Sequence, residues 1–105
     1  MRNQLNSHVD NDILHIELPE EFDSFKVDNV RDQLDAIVAD ESLSVNLDFH
    51  NNQFIDSSGI GAIVFLFKRL NAKKRNLVLS NVTGQPLKLM TMLHVDRAIP
   101  VNRNT

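Results

Sequence analysis

The sequence predicts a single α/β domain, with a mixed central sheet of about five strands and helices packed mainly on one side. Three observations carry that expectation. Two strand-like stretches open the chain, and helix and strand patterns then alternate to its end. Strands separated by helices pair in parallel through right-handed crossovers, whereas an opening hairpin contributes an antiparallel pair. The chain has 105 residues, 42% of them hydrophobic, which suits one packed core spanning 1–105 with its centre at 4–101.

The elements follow in order. A short strand near Leu5 to Val9 precedes the turn formers Asp10, Asn11 and Asp12. Leu14, Ile16 and Leu18 then alternate with His15 and Glu17, the period of a half-buried strand. Asp23 and Ser24 can cap a helix whose apolar stripe is Val27, Val30, Leu34, Ile37 and Val38, ending near Asp40. Val45, Leu47 and Phe49 alternate with Asn46 and Asp48 as another strand, followed by a polar loop from His50 to Gln53. After Phe54 to Gly61 a long helix carries Ile60, Ile63, Val64, Phe67 and Leu70 on one face. Leu77 to Leu79 make a strand, and Thr83 and Pro86 start a helix with Leu87, Met90 and Leu93 on its apolar side. Ile99 and Val101 close the pattern as a last short strand.

Composition excludes several functions. With no cysteine there is no disulfide framework, thiolate metal site or cysteine nucleophile. The formal net charge of −3 argues against nucleic acid as a partner, since phosphate contacts call for a basic excess. Met1 to Asp10 is polar and carries no signal-peptide core, and the apolar run Ile60 to Phe67 is too short to span a bilayer, so a cytoplasmic protein with no direct membrane insertion is expected. Lys68, Arg69, Lys73, Lys74 and Arg75 lie at the end of the long helix, where cations complement its dipole; an anion- or membrane-binding patch is the alternative.

The chemistry gathers in Asp56-Ser57-Ser58-Gly59-Ile60-Gly61, between a strand and a helix. Ligand sites of open α/β sheets lie beyond the carboxyl ends of strands. The first turn of a helix has unpaired N–H groups that favour an anion. Gly59 and Gly61 leave the backbone bare for close approach. A hydroxyl here is either an ordinary cap, since Asp and Ser are favoured cap residues, or a functional serine.

Beyond these residues, the chain resembles the STAS family, shared by anti-sigma factor antagonists and sulfate transporter tails, over roughly Ile13 to Val101. Leu18-Pro19-Glu20-Glu21-Phe22-Asp23 looks like the family's Gly-Glu-Leu-Asp turn, with Glu20 where glycine is usual. Val45 to Gly61 is the most specific part, and Gln85 to Val101 matches in pattern only. The resemblance implies a phosphorylation site at Ser57, with Ser58 as secondary candidate, Asp56 supporting the loop, and a partner surface of Asp23, Asp56, Ser57, Ser58, Gly59, Ile60 and Gly61. It implies as partners a serine kinase and anti-sigma factor of the histidine-kinase-like ATPase type and a serine phosphatase, acting on a monomer or weak dimer. A regulator of another output, such as biofilm or exopolysaccharide production, and a structural subunit of a lipid transporter or stress-signalling complex are the alternatives. The family's C-terminal helix is expected to be shortened or absent, because Asn102 to Thr105 is short and polar.

Phe65 and Ala62 fall outside the Ile60–Leu70 stripe, with Leu66 at its border, so Phe65 is a candidate partner anchor; packing under a loop or a second copy is the alternative. His8, His15, His50 and His94 show no metal spacing. There is no Gly-x-Ser-x-Gly elbow and no phosphate-binding Gly-Lys loop. No catalytic residue, metal site or cofactor is therefore expected.

Overall fold

The computed structural model of the chain describes residues 5–40 and 43–103. The outer limits of the expected domain, residue 4 at the edge of its core, and the last two residues of the polar tail lie outside that range. In chain order the elements are β1 (Asn6–Asp10), β2 (Ile13–Glu17), β3 (Glu21–Phe22), α1 (Ser24–Asn29), α2 (Arg31–Ala39), β4 (Ser44–Asp48), β5 (Phe54–Ile55), α3 (Ser57–Ala72), β6 (Leu77–Val82), α4 (Gly84–Met92), α5 (Val95–Ala98) and β7 (Val101–Arg103).

The main sheet has the order β1-β2-β4-β6-β7, with β1 antiparallel to β2 and the other neighbours parallel. Asn11 and Asp12 take φ of 52° and 62°, a left-handed pair that Asn and Asp tolerate and that closes a two-residue hairpin. The strand order advances in one direction, so right-handed crossovers lay all helices on one face. The burial agrees. Ile16, Leu47 and Leu79 stand side by side in register and are at most 2% exposed. Their sequence neighbours His15 and Asn46 face the other side and meet at 3.2 Å.

Four features depart from the pattern in the sequence. The first helix is two helices. Val30 leaves helical geometry (φ −109°, ψ 10°), ending α1 and starting α2, yet stays buried, so the apolar stripe runs on across the break. On α3, Leu66 is not at a border but 1% exposed in the core, while Val64 and Phe67 are only partly buried; Ala62 packs against the core as well. The helix after β6 breaks at His94, which is left-handed (φ 61°). Leu93 is thereby exposed, and Val95 and Ile99 fill the core in its place. Fourth, β3 and β5 form a separate two-stranded parallel sheet, Glu21 opposite Phe54 and Phe22 opposite Ile55.

The cations after α3 also act differently. Lys73 Nζ donates to Val38 O at 2.6 Å, and the buried Arg75 fans over the carbonyls of Ile37, Val38, Asp40 and Leu43. They satisfy the open C-terminal end of α2, a helix distant in sequence, rather than the end of α3. Arg69 lies over the Phe65 ring, 5.0 Å from its centroid.

At the carboxyl end of β4, Asp48 meets the His50 N–H (3.0 Å), the His50 ring (2.9 Å) and the Asn81 amide (2.9 Å). Burial acts to raise its pKa, but these hydrogen bonds together outweigh it and hold the carboxyl below its ordinary value. A depressed folded pKa means stability that is present above the unfolded-state value and lost as pH falls through the folded one. Urea midpoints should therefore fall below about pH 4, and Asp48→Asn should flatten part of that fall.

Candidate functional site

Asp56 is the N-cap of α3. Its backbone is extended (φ −108°, ψ −175°) and its Oδ1 accepts from Gly59 N at 2.9 Å. Its Oδ2 accepts from Ser24 N, the first residue of α1, at 3.2 Å. Asp23 caps α1 by accepting from Lys26 N at 3.1 Å. The Asp56 carboxylate thus ties the two helix starts together, while Asp23 caps α1 alone. Both serines are left out of the capping role that either could have taken: Ser57 and Ser58 are the first two residues of α3, and both are exposed.

The support beneath this corner is built from long-range hydrogen bonds. Gln53 N and Phe54 N donate to Glu20 O (2.8 and 3.1 Å), and the buried Asn52 amide donates to Pro19 O (2.7 Å) and Phe54 O (3.2 Å). Glu20 does not adopt a positive φ, so this turn needs no glycine. Gln85, in the first turn of α4, acts as a missing strand neighbour for Ile55: its Oε1 accepts from Ile55 N at 2.9 Å and its Nε2 donates to Ile55 O at 2.8 Å. Gln85→Ala should cost about 1–2 kcal/mol and speed hydrogen exchange at Ile55 above the change seen in β4.

The two glycines differ. A Cβ on Gly59 would stand 2.3 Å from Phe22 O and 2.6 Å from Ile55 Cγ1, so the close approach it permits is made by the chain's own small sheet. Gly61 is exposed and a Cβ there would meet nothing within 4 Å. Ile60 is 6% exposed and points into the core. Of the expected partner surface, Ser57, Ser58, Gly61 and Phe65 are exposed and Asp23 and Asp56 are half-buried, whereas Gly59 and Ile60 lie beneath it.

Phe65 is 40% exposed, and two further aromatics share this end of the molecule. Phe25 is 65% exposed in the first turn of α1, and Phe54 is 42% exposed on β5. Neither stood out in the sequence, although signals existed. Phe25 lies off the Val27–Val30 stripe, and Phe54 alternates with the buried Ile55.

A groove of about 360 Å³ runs from this corner between α1–α2 and α3. Val27, Leu34 and Ala62 line its apolar part, and Ser24, Ser58, Gly61 and Phe65 border it. Asp28, Arg31 and Asp35 line the α1–α2 wall, with Arg31 Nη2 3.0 Å from Asp28 Oδ1. Among the described residues no cluster of three or more metal-ligating side chains occurs, and no helix is long and apolar enough to cross a membrane.

A STAS domain model matches residues 4–105. The chain belongs to the STAS family. Within it, the anti-sigma F factor antagonist of Paenibacillus polymyxa is 31% identical over 93 residues, covering 88% of this chain and 80% of that protein. The anti-sigma-B factor antagonist of Listeria monocytogenes is 24% identical over 92 residues, covering 88% and 81%. A STAS domain protein from Planctomyces limnophilus superposes with a TM-score of 0.87 at 16% identity, over 98% of this chain and 92% of that one. SpoIIAA, an anti-sigma factor antagonist, superposes in its unphosphorylated form with a TM-score of 0.73 at 21% identity, over 96% and 88%. The Bacillus SpoIIAA in its phosphorylated form gives 0.73 at 19% identity, over 95% and 92%. The STAS fold accounts for the mixed five-strand sheet and the five helices.

Proposed function

We infer that this STAS domain is an anti-sigma factor antagonist of the cytoplasm, a protein-binding regulator switched by phosphorylation of Ser57. The observation that carries it is the commitment of Asp56: because the aspartate caps α3, the Ser57 hydroxyl is spare, exposed and held at a rigid helix start. The relative from Paenibacillus supports the class, and the phosphorylated and unphosphorylated forms of SpoIIAA support the modification.

Unphosphorylated, the corner formed by Asp23, Asp56, Ser57 and Ser58 docks on a serine kinase of the histidine-kinase-like ATPase type that also serves as the anti-sigma factor. Gly59 and Ile60 act from below by fixing the helix start. The kinase moves a phosphoryl group from ATP to Ser57 Oγ. The product carries about −1.5 to −2 charges beside the Asp56 carboxylate and facing the nucleotide phosphates of the kinase. Burying it in the interface then costs desolvation and repulsion, and a coupling of about 1–3 kcal/mol changes affinity about 5- to 150-fold. A serine phosphatase resets the hydroxyl. The STAS domain is the substrate in this cycle and does no chemistry itself.

The test is a pull-down with Ser57→Ala and Ser57→Asp baits. The alanine bait should retain a kinase that the aspartate bait loses. Equal retention by both would rule the switch out.

A further inference from the structure

The groove beside the switch has no part in the chemistry at Ser57, which is not among the residues lining it. Its occupant can be argued from its make-up. It lies between two helical walls, α1–α2 and α3, and the polar residues along it, Ser24, Asp28, Arg31, Asp35 and Ser58, are all exposed. A site for a small molecule needs a few buried, fixed polar groups to orient the ligand, and none is present among the described residues that line this groove. Two helix faces with an apolar floor suit a third helix lying along them.

Charge selects the kind of helix. Arg31, the one cation among the described residues that line the groove, is already held by Asp28 at 3.0 Å, and no described cation lies against the exposed Asp35 carboxylate there. Asp23 and Asp56 add two carboxylates at the mouth, beside Ser24 and Ser58. The floor of Val27 and Leu34 with the half-exposed Phe65 can take one bulky apolar side chain.

We propose that this groove docks an amphipathic helix of the partner protein, one that presents a large apolar side chain flanked by Lys or Arg. The helix anchors the partner in the groove, and the phosphate acts at the mouth to weaken that binding. The proposal rests on the switch reading only for the identity of the partner.

Gly61 supplies a clean probe, because it lines the groove and a Cβ there would meet nothing within 4 Å. The partner retained by the Ser57→Ala bait is purified and titrated calorimetrically against wild type, Gly61→Leu, Asp28→Lys/Asp35→Lys and Ser57→Asp. Circular dichroism verifies that each variant is folded. Gly61→Leu and the charge reversal should each weaken binding about tenfold or more, the loss of one interface anchor. The charge reversal should also lessen the salt dependence of binding. Wild-type affinity for both groove variants would overturn the proposal while leaving the switch intact. Tighter binding after charge reversal would overturn it by requiring an acidic helix. A chain that self-associates in sedimentation, and is made monomeric by Gly61→Leu, would overturn it in favour of a second copy. A Ser57→Ala bait that holds no protein overturns both readings, whereas weakening by the groove variants with no effect of Ser57→Asp supports the groove and sinks the switch.

Discussion

Gly59→Ala is expected to lower the stability of the domain by about 2–3 kcal/mol, and Gly61→Ala, two residues on, to raise it by up to about 1 kcal/mol. Helix propensity alone predicts a gain at both positions, since alanine is the better helix former. Packing reverses the sign at Gly59. The added methyl would sit 2.3 Å from the Phe22 carbonyl and 2.6 Å from Ile55 Cγ1. Phe22 is 1% exposed, Ile55 is fully buried, and both are paired in the β3–β5 sheet, so neither can yield cheaply. Relief requires the start of α3 to lift away from that sheet, which would break the Asp56 cap that accepts from Gly59 N. The loss of stability and a displaced switch are therefore one event. Urea denaturation of the two variants checks the sign at each site. A Gly59→Ala protein as stable as wild type would mean that the corner is looser than its packing implies.

Arg75→Met is expected to cost about 2–4 kcal/mol, and Arg75→Lys to recover only part of it. Arg75 is 6% exposed, and its guanidinium donates to Leu43 O at 2.6 Å and Ile37 O at 2.9 Å, with Val38 and Asp40 carbonyls in the same fan. These carbonyls end α2 and lead out of it, where no later helical N–H reaches back. Methionine fills similar space but leaves the acceptors without donors. Lysine brings one ammonium, which cannot reach several carbonyls in a planar fork. The measurement is the urea midpoint of the three proteins, with hydrogen exchange at Ile37 to Asp40 to localise the damage. A loss confined to α3, with α2 unaffected, would assign Arg75 to its own helix instead.

These two residues mark what the sequence could and could not disclose. Strands β2 and β4 were legible because one face is buried and the other is not, which writes a period of two into Leu14 to Leu18 and Val45 to Phe49. The hairpin was legible because Asn11 and Asp12 accept left-handed geometry. The corner at Asp56 was legible as a strand-to-helix step with an Asp-Ser cap. Which of the three side chains capped was not, because Asp56, Ser57 and Ser58 are all competent and the distinction lies in the backbone. The β3–β5 sheet left no trace, as two-residue strands are too short to show a period. The break at Val30 was hidden by an apolar stripe that continues through it. Arg75 and Gln85 act over 30 residues or more of sequence, Arg75 on the end of α2 and Gln85 on Ile55, and no local pattern records such pairings. Gly59 gave the right signal, a bare backbone for close approach, but the neighbour that comes close is Phe22 rather than another protein.

The phosphoserine itself is the most direct test of the switch. The chain is phosphorylated by the kinase it binds, the site is mapped by mass spectrometry, and the affinity of the modified and unmodified forms for that kinase is measured side by side. Modification is predicted at Ser57, with binding at least about fivefold weaker in the phosphorylated form. A phosphate found elsewhere, or equal affinity of the two forms, would contradict a switch at Ser57.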